Sequence, residues 1–231
     1  MTVPQPKIGV VRFPGACDDR DALWALAALD ADAVFIRHTE TDLAGVDAVV
    51  LPGGFSYGDY LRCGALGRFA PALEAVAGFA ADGGLVLGIC NGFQILCEAG
   101  LLPGVLRRNE SLAFVCRDVP LVVDRVDTPF TSRCEPGQTV TIPVKHGEGN
   151  WFADDDLYAE LEARRQIVLR YAQPVNGSRN DVAGVVNEHG NVMGLMPHPE
   201  HAVDPLLGSA DGALLLSSLV ETARVGMLTT V

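Results

Sequence analysis

Lysine is nearly missing from this chain. Only Lys7 and Lys145 occur among 231 residues, and all basic side chains together number 17 against 29 acidic ones, for a formal net charge of -12. Binding a phosphate backbone takes clustered cations, so nucleic acid is not an expected partner, and the same balance argues against an anionic membrane surface. Neither lysine completes a G-x-x-x-x-G-K-[ST] loop, so no ATP site of that kind is expected. No apolar stretch approaches the roughly 20 residues that cross a bilayer. Met1 to Pro6 carries neither the basic nor the apolar segment of a secretory signal. The cysteines, Cys17, Cys63, Cys90, Cys97, Cys116 and Cys134, show no C-x-x-C pair and no close clustering. Reduced thiols in a cytoplasmic protein are expected, with no metal site. Cys97 and Cys116 read as core cysteines.

The remainder reads as an ordinary globule, 48% hydrophobic and 20% charged. A single domain over 1–231 is expected, with tails at 1–6 and 225–231. The first hundred residues alternate strand and helix. Strands fall at 7–13, 33–36, 46–51 and 85–87. A helix begins at Asp18 or Asp19 with Leu23, Trp24, Leu26 and Ala27 inward, and another spans 66–81. That order predicts an α/β fold, a three-layer α/β/α arrangement with a mostly parallel central sheet. From residue 113 short strands at 113–116, 121–123, 140–144, 167–171 and 182–186 are split by turns such as Asn176-Gly177-Ser178, which predicts an additional, largely antiparallel strand layer. A helix over 154–165, a strand over 192–196 and a helix over 211–224 complete the chain.

The most informative stretch is Gly84 to Gln94. Leu85 to Leu87 is a short apolar run with the look of a doubly buried strand, and a helical pattern starts after Gly92. Between them stands Cys90, with Gly88 and Gly92 two residues to either side. Strand, tight turn, helix, with a cysteine at the apex, is a nucleophile elbow. The helix N-terminus favours thiolate over thiol, and the N–H of Asn91 can donate to a developing oxyanion.

A thiol nucleophile takes a base and a group that orients it. Among the five histidines, His198 in Pro197-His198-Pro199-Glu200 follows a strand directly. In an extended segment residues two apart project the same way, which would set Glu200 beside the imidazole. His38 has only Glu40 near it in sequence, and His189 lies in a hairpin turn. A metal held by His198, Glu200 and His201 lacks an H-E-x-x-H frame and a further ligand. A second oxyanion donor is expected from Pro52-Gly53-Gly54, where glycine lets the backbone approach a ligand; Gly54 or Gly53 could supply it.

These residues carry a resemblance. Gly88-Ile89-Cys90-Asn91-Gly92-Phe93-Gln94, Pro52-Gly53-Gly54 and Pro197-His198-Pro199-Glu200 resemble the class I, triad-type glutamine amidotransferases. Leu51 to Arg62, Leu101-Leu102-Pro103-Gly104, Arg108-Asn109 and His146-Gly147-Glu148-Gly149 narrow the likeness to the glutaminase (PurQ-type) subunits of phosphoribosylformylglycinamidine synthase. The resemblance implies glutamine hydrolysis to glutamate and ammonia through a thioester on Cys90, with His198 as base and acid and Glu200 orienting it. It implies an oxyanion hole from Gly54 and Asn91, and substrate contacts at Gln94, Gly53, Arg62 and His146. It also implies partners: a large synthetase (PurL-type) subunit and a small bridging (PurS-type) subunit. ATP and Mg would sit on the synthetase, with no cofactor on this chain. The ammonia would convert formylglycinamide ribonucleotide to its amidine in purine synthesis. The rivals are a glutaminase of another synthase and an inactive regulatory subunit on the same fold. Lys145 carries no assigned role.

Overall fold

The structure, a computed structural model, describes residues 4–229. In chain order the elements are β1 (Lys7–Arg12), α1 (Asp19–Ala28), β2 (Asp32–Arg37), β3 (Ala48–Leu51), α2 (Pro71–Ala81), β4 (Leu85–Ile89), α3 (Asn91–Glu98), β5 (Val105–Arg107) and β6 (Val115–Val123). There follow β7 (Thr139–His146), β8 (Asn150–Phe152), α4 (Asp155–Ala163), β9 (Ile167–Tyr171), β10 (Val182–Val186), β11 (Val192–Leu195) and α5 (Gly212–Thr229).

The central sheet has nine strands in the order β2-β1-β3-β4-β11-β10-β9-β6-β7. Pairing is parallel from β2 through β11 and antiparallel from β11 through β7. The antiparallel strands foreseen after residue 113 thus continue the same sheet at its edge. They are not stacked on it. All four residues of β3 and all of β11 are buried, which requires cover on both faces. Two short strands, β5 and β8, pair separately as Val105↔Phe152 and Leu106↔Trp151. At three residues each they are too short for an alternating signal.

Several local expectations change. In α1 the inward face is Ala22, Ala25 and Leu26, whereas Trp24 is 61% exposed and Ala27 is exposed. Position 24 lies about 200° around the helix from position 22, so both cannot face β1. The helix expected from residue 66 begins at Pro71, after a 3-10 turn at Gly67–Phe69. Proline pushes the preceding residue to extended backbone, and Ala70 has ψ 137°. The strands at 113–116 and 121–123 are one strand, β6, that runs through Pro120. Pro120 faces β9 just beyond the point where that pairing begins at Leu121, so its missing N–H breaks no ladder bond. Cys116 is exposed and Cys97 half-buried, so neither is a fully buried core cysteine. Residues 225–229 continue α5 and are not a tail, and residues 1–3 and 230–231 lie outside the described residues.

The register sets where the chemistry can sit. Leu51 pairs with Gly88 and Leu195 with Ile89, so β3, β4 and β11 end at one level. Pro52-Gly53-Gly54, Cys90 and the segment after Leu195 therefore leave the sheet side by side, at the carboxyl ends of parallel strands where such folds place ligands.

Candidate active site

Cys90 sits between β4 and α3 with φ 49° and ψ -103°, a conformation that side chains rarely adopt. Such strain costs on the order of 1–3 kcal/mol and persists only where the surroundings fix it. Here the Cys90 N–H donates to the Leu195 carbonyl at 2.8 Å, and its carbonyl accepts from the Gln94 N–H at 3.1 Å. Gly92 lets α3 close onto the end of β3: a Cβ there would lie 2.0 Å from the Leu51 carbonyl oxygen. The elbow read from the sequence is therefore built, with the sulfur at the start of α3.

His198 follows β11 and is anchored by its N–H to the Pro143 carbonyl, at 2.8 Å. Its Nδ1 lies 2.6 Å from Glu200 Oε1, and both side chains are buried. The pairing does not come from extended backbone, because Pro199–His201 form a 3-10 turn. That turn curls the carboxylate back onto the ring. Burial works against a protonated imidazole, but the charges of Glu200 and Cys90 outweigh it, and the His198 pKa is pushed up to about 10. Nε2 is buried, and the Cys90 sulfur raises the ring's pKa both by its charge and as a hydrogen-bond partner.

Cys90 and His198 line one cavity of about 520 Å³, together with Gly54, Gln94 and His146. Gly54 forms an isolated antiparallel bridge with Ala16. The flanking bonds are Cys17 N–H to Gly53 O and Phe55 N–H to Gly15 O, so the N–H of Gly54 points away from that strand partner. The Asn91 N–H belongs to the first turn of α3, where an amide has no intrahelical acceptor. The Asn91 side chain is committed: its Oδ1 accepts from the backbone and hydroxyl of Ser56, and its Nδ2 donates to Gln94 Oε1 at 2.9 Å. Gln94 Nε2 in turn donates to the Glu148 carbonyl at 2.7 Å, which ties α3 to the far wall. His146 lies in that wall with Nδ1 3.0 Å from Asn109 Oδ1, and burial, with His198 nearby, lowers its pKa to about 4.

Two expected substrate contacts are placed elsewhere. Arg62 does not line the cavity; its Nε and Nη2 reach Glu98 at 2.7 and 2.6 Å on an exposed surface. Gly53 lies behind the imidazole, where a Cβ would meet His198 Cε1 at 2.7 Å and Asp18 Oδ2 at 2.4 Å. His38 is also remote in role, with its Nδ1 2.7 Å from the Tyr57 hydroxyl.

Asp18, Asp59, Lys145 and Glu148 line the cavity without having been foreseen. Asp18 read as a helix cap, yet its carboxylate caps nothing and turns into the site. There it meets Lys145 Nζ, lies 3.3 Å from His201 Nε2 and lies 3.6 Å from His198 Nδ1. Burial opposes its charge, but His201, His198 and Lys145 hold its pKa well below the usual carboxylate range. The rarity of lysine was the one signal that could have drawn attention to Lys145. Asp18, His198, Glu200 and His201 present ligand atoms all within 4.8 Å of one another, so a fourth donor absent from the sequence reading does exist. A cation there would have to displace the Nδ1–Glu200 hydrogen bond and the Asp18–Lys145 pair.

The family model of the CobB/CobQ-like glutamine amidotransferase domain matches residues 5–211. Phosphoribosylformylglycinamidine synthase subunit PurQ of Rubrobacter xylanophilus is 56% identical over 219 residues, covering 95% of this chain and 100% of that protein. The subunit PurQ of Salinibacter ruber is also 56% identical, covering 95% of this chain and 97% of its own length. Among solved structures, a chain of PurLQS from Thermotoga maritima matches with a TM-score of 0.88 at 43% identity, over 95% of this chain and 99% of that one. A glutamine amidotransferase from the same organism shares the fold, with a TM-score of 0.61 at 17% identity, over 96% of this chain and 99% of that one. Likeness of this extent, end to end and in both sequence and backbone, shows that the chain belongs to the glutamine amidotransferases and, within them, to the PurQ subunits of phosphoribosylformylglycinamidine synthase.

Proposed function

We propose that this chain hydrolyses L-glutamine at Cys90 and delivers the ammonia to a synthetase subunit. The observation that carries this reading is the strained Cys90 facing the same cavity as an imidazole whose Nδ1 is 2.6 Å from a buried carboxylate. Glu200 and the sulfur favour the protonated form of His198, and a cation beside the sulfur stabilises the thiolate. The thiolate adds to the side-chain amide carbon of glutamine. The N–H groups of Asn91 and Gly54 receive the oxyanion. His198 Nε2 then gives its proton to the amide nitrogen, the C–N bond breaks and ammonia leaves, with the acyl group on sulfur. Neutral His198 next takes a proton from water, whose oxygen attacks the thioester. Glutamate departs and the thiolate–imidazolium pair is restored. Glu200 holds the imidazole tautomer throughout. Gln94 and Glu148, joined by the Gln94 Nε2 hydrogen bond to the Glu148 carbonyl, line the same cavity.

The partners are a PurL-type synthetase and a PurS-type bridging subunit, a reading supported by the relatives' names and the PurLQS neighbour. ATP and Mg act on the synthetase, which converts formylglycinamide ribonucleotide to formylglycinamidine ribonucleotide. The setting is cytoplasmic, consistent with free thiols at all six cysteines; among the described residues no helix is long and apolar enough to cross a membrane.

The test is Cys90→Ser in the reassembled complex. Glutamine-dependent synthesis should be lost while ammonia-dependent synthesis persists. Loss of both would assign Cys90 to assembly instead of chemistry.

A further inference from the structure

We propose that Asp18 and Lys145 are positioning residues for the catalytic pair, a part-buried ion pair that joins the general acid–base to the nucleophile in the same cavity. The proposal rests on the glutaminase reading and adds residues to it.

Asp18 has a side chain only 3% exposed, and all its contacts face the site. Its Oδ2 lies 3.6 Å from His198 Nδ1, too long for a hydrogen bond and close enough for an ion pair. His198 therefore carries two carboxylates on one ring nitrogen: Glu200 as hydrogen-bond acceptor at 2.6 Å and Asp18 as a second charge behind it. Gly53 packs directly against both groups, since a Cβ there would lie 2.4 Å from Asp18 Oδ2 and 2.7 Å from His198 Cε1. A buried carboxylate without a cation would be costly. Lys145 supplies the cation, and desolvation of its ammonium is outweighed by Asp18, so that its pKa rises. The same residue reaches the nucleophile through its backbone: the Lys145 carbonyl oxygen is 3.8 Å from Cys90 Sγ. Asp18 also ties down the oxyanion strand, since its N–H and that of Cys17 both donate to the Gly53 carbonyl, at 3.3 and 3.2 Å. One loop between β1 and α1 thus fixes the imidazole, the lysine and the Gly53–Gly54 backbone together.

The charged and titratable groups facing His198 are Glu200, Cys90, Asp18, His201 and, more distantly, His146. Those facing Lys145 are Asp18, Glu200, Cys90 and Cys17. Removing either member of the pair unbalances charge in a defined direction. With Asp18→Asn the imidazolium loses a stabilising carboxylate and gains an unpaired ammonium nearby. With Lys145→Met the thiolate loses a nearby cation and faces an unpaired carboxylate.

The experiment follows the pH dependence of two quantities in the reassembled complex. One is glutamine-dependent kcat/KM. The other is alkylation of Cys90 by iodoacetamide, resolved from the other cysteines by mass spectrometry. For Asp18→Asn the high-pH limb of kcat/KM should move down by about one pH unit. For Lys145→Met the low-pH limb of both kcat/KM and alkylation should move up by a similar amount. Should Asp18→Asn fail to fold, Lys145→Met decides alone, because its ammonium is part-exposed and its removal disturbs little packing. Limbs that stay in place, with activity unchanged or lowered equally at every pH, would overturn the proposal. Alkylation does not depend on glutamine turnover, so a shifted alkylation profile in an enzyme that fails to hydrolyse glutamine would sink the glutaminase reading and leave the ion pair standing.

Discussion

His146 shows how one residue's environment writes a pH dependence into the protein. Its ring is buried and neutral, with a pKa lowered to about 4 from an ordinary 6.5. Unfolding exposes it, and between those two values the unfolded chain binds the extra proton. Stability contributed by keeping the ring neutral is therefore present above pH 6.5 and lost as pH falls towards 4. For wild type that loss amounts to about 2 kcal/mol between pH 7 and pH 5. His146→Gln, which cannot protonate, should lose about that much less over the same interval, as read by urea unfolding at the two pH values. Equal losses in both proteins would show that the buried ring does not set the slope. His198 has the opposite sign. Its pKa is raised to about 10, so its contribution is complete below pH 6.5 and disappears as pH climbs through 10. The two histidines together favour the fold near neutrality.

At the level of elements, the site depends on how closely α3 is seated on the sheet. Gly92 touches the Leu51 carbonyl, the last residue of β3, so a methyl group there collides with backbone that has no room to yield. Gly92→Ala should destabilise by about 3 kcal/mol or more and tilt α3, lowering glutamine turnover. Gly78 is the counterpart. It is exposed within α2 with nothing within 4 Å of a built Cβ, so Gly78→Ala should raise stability by about 0.5–1 kcal/mol. Thermal unfolding of the two variants should move in opposite directions; a shift in the same direction would mean that helix seating is not what Gly92 protects. The β1–α1 connection has a comparable place. It holds no regular structure, yet it carries Asp18 and bonds to Gly53, so its sequence is fixed by the site and not by α1.

For the whole molecule, the cavity mouth is unusual in leaving large apolar groups in solvent. Phe55 and Phe114 line it and are 51% and 62% exposed, while Tyr60 and Leu61 follow Phe55 along the same loop at 74% and 88%. That loop also holds Tyr57, Asp59 and Leu61 at positive φ, so its conformation is strained and open to rearrangement by a partner. Hydrolysing glutamine without an acceptor wastes it. The isolated chain should therefore turn over glutamine at least roughly tenfold more slowly than the assembled complex, with the loop ordered by docking. Equal rates for the free chain and the complex would remove the gating argument.

The elbow, the glycine pair around Cys90 and the His198–Glu200 couple were legible because each is encoded within a few residues. Turn chemistry and strand runs act locally, and a strained apex between glycines has one common use. Even there the local logic was incomplete, since a 3-10 turn and not an extended segment brings Glu200 to the ring. Helix faces were less legible: Trp24 fitted an apolar pattern but lies outside, because the face is selected by what packs on it, β1 and β2 beside it in sequence and α5 far along the chain. Asp18 and Lys145 are 127 residues apart, and Asp18 and His201 183 apart. No local pattern joins them. Strand order sets β1 beside β3, β3 beside β4 and β4 beside β11, which brings the loops of Asp18, Gly53 and His201 together, whereas Lys145 comes from β7 at the far edge of the sheet and is brought in where the Pro143 carbonyl of that strand accepts from the His198 N–H. Residue types and short spacings were enough for the nucleophile and its chemistry. Which charges surround that nucleophile follows from where the folded sheet and its loops place them, because electrostatic coupling depends on distance in space and is blind to separation along the chain.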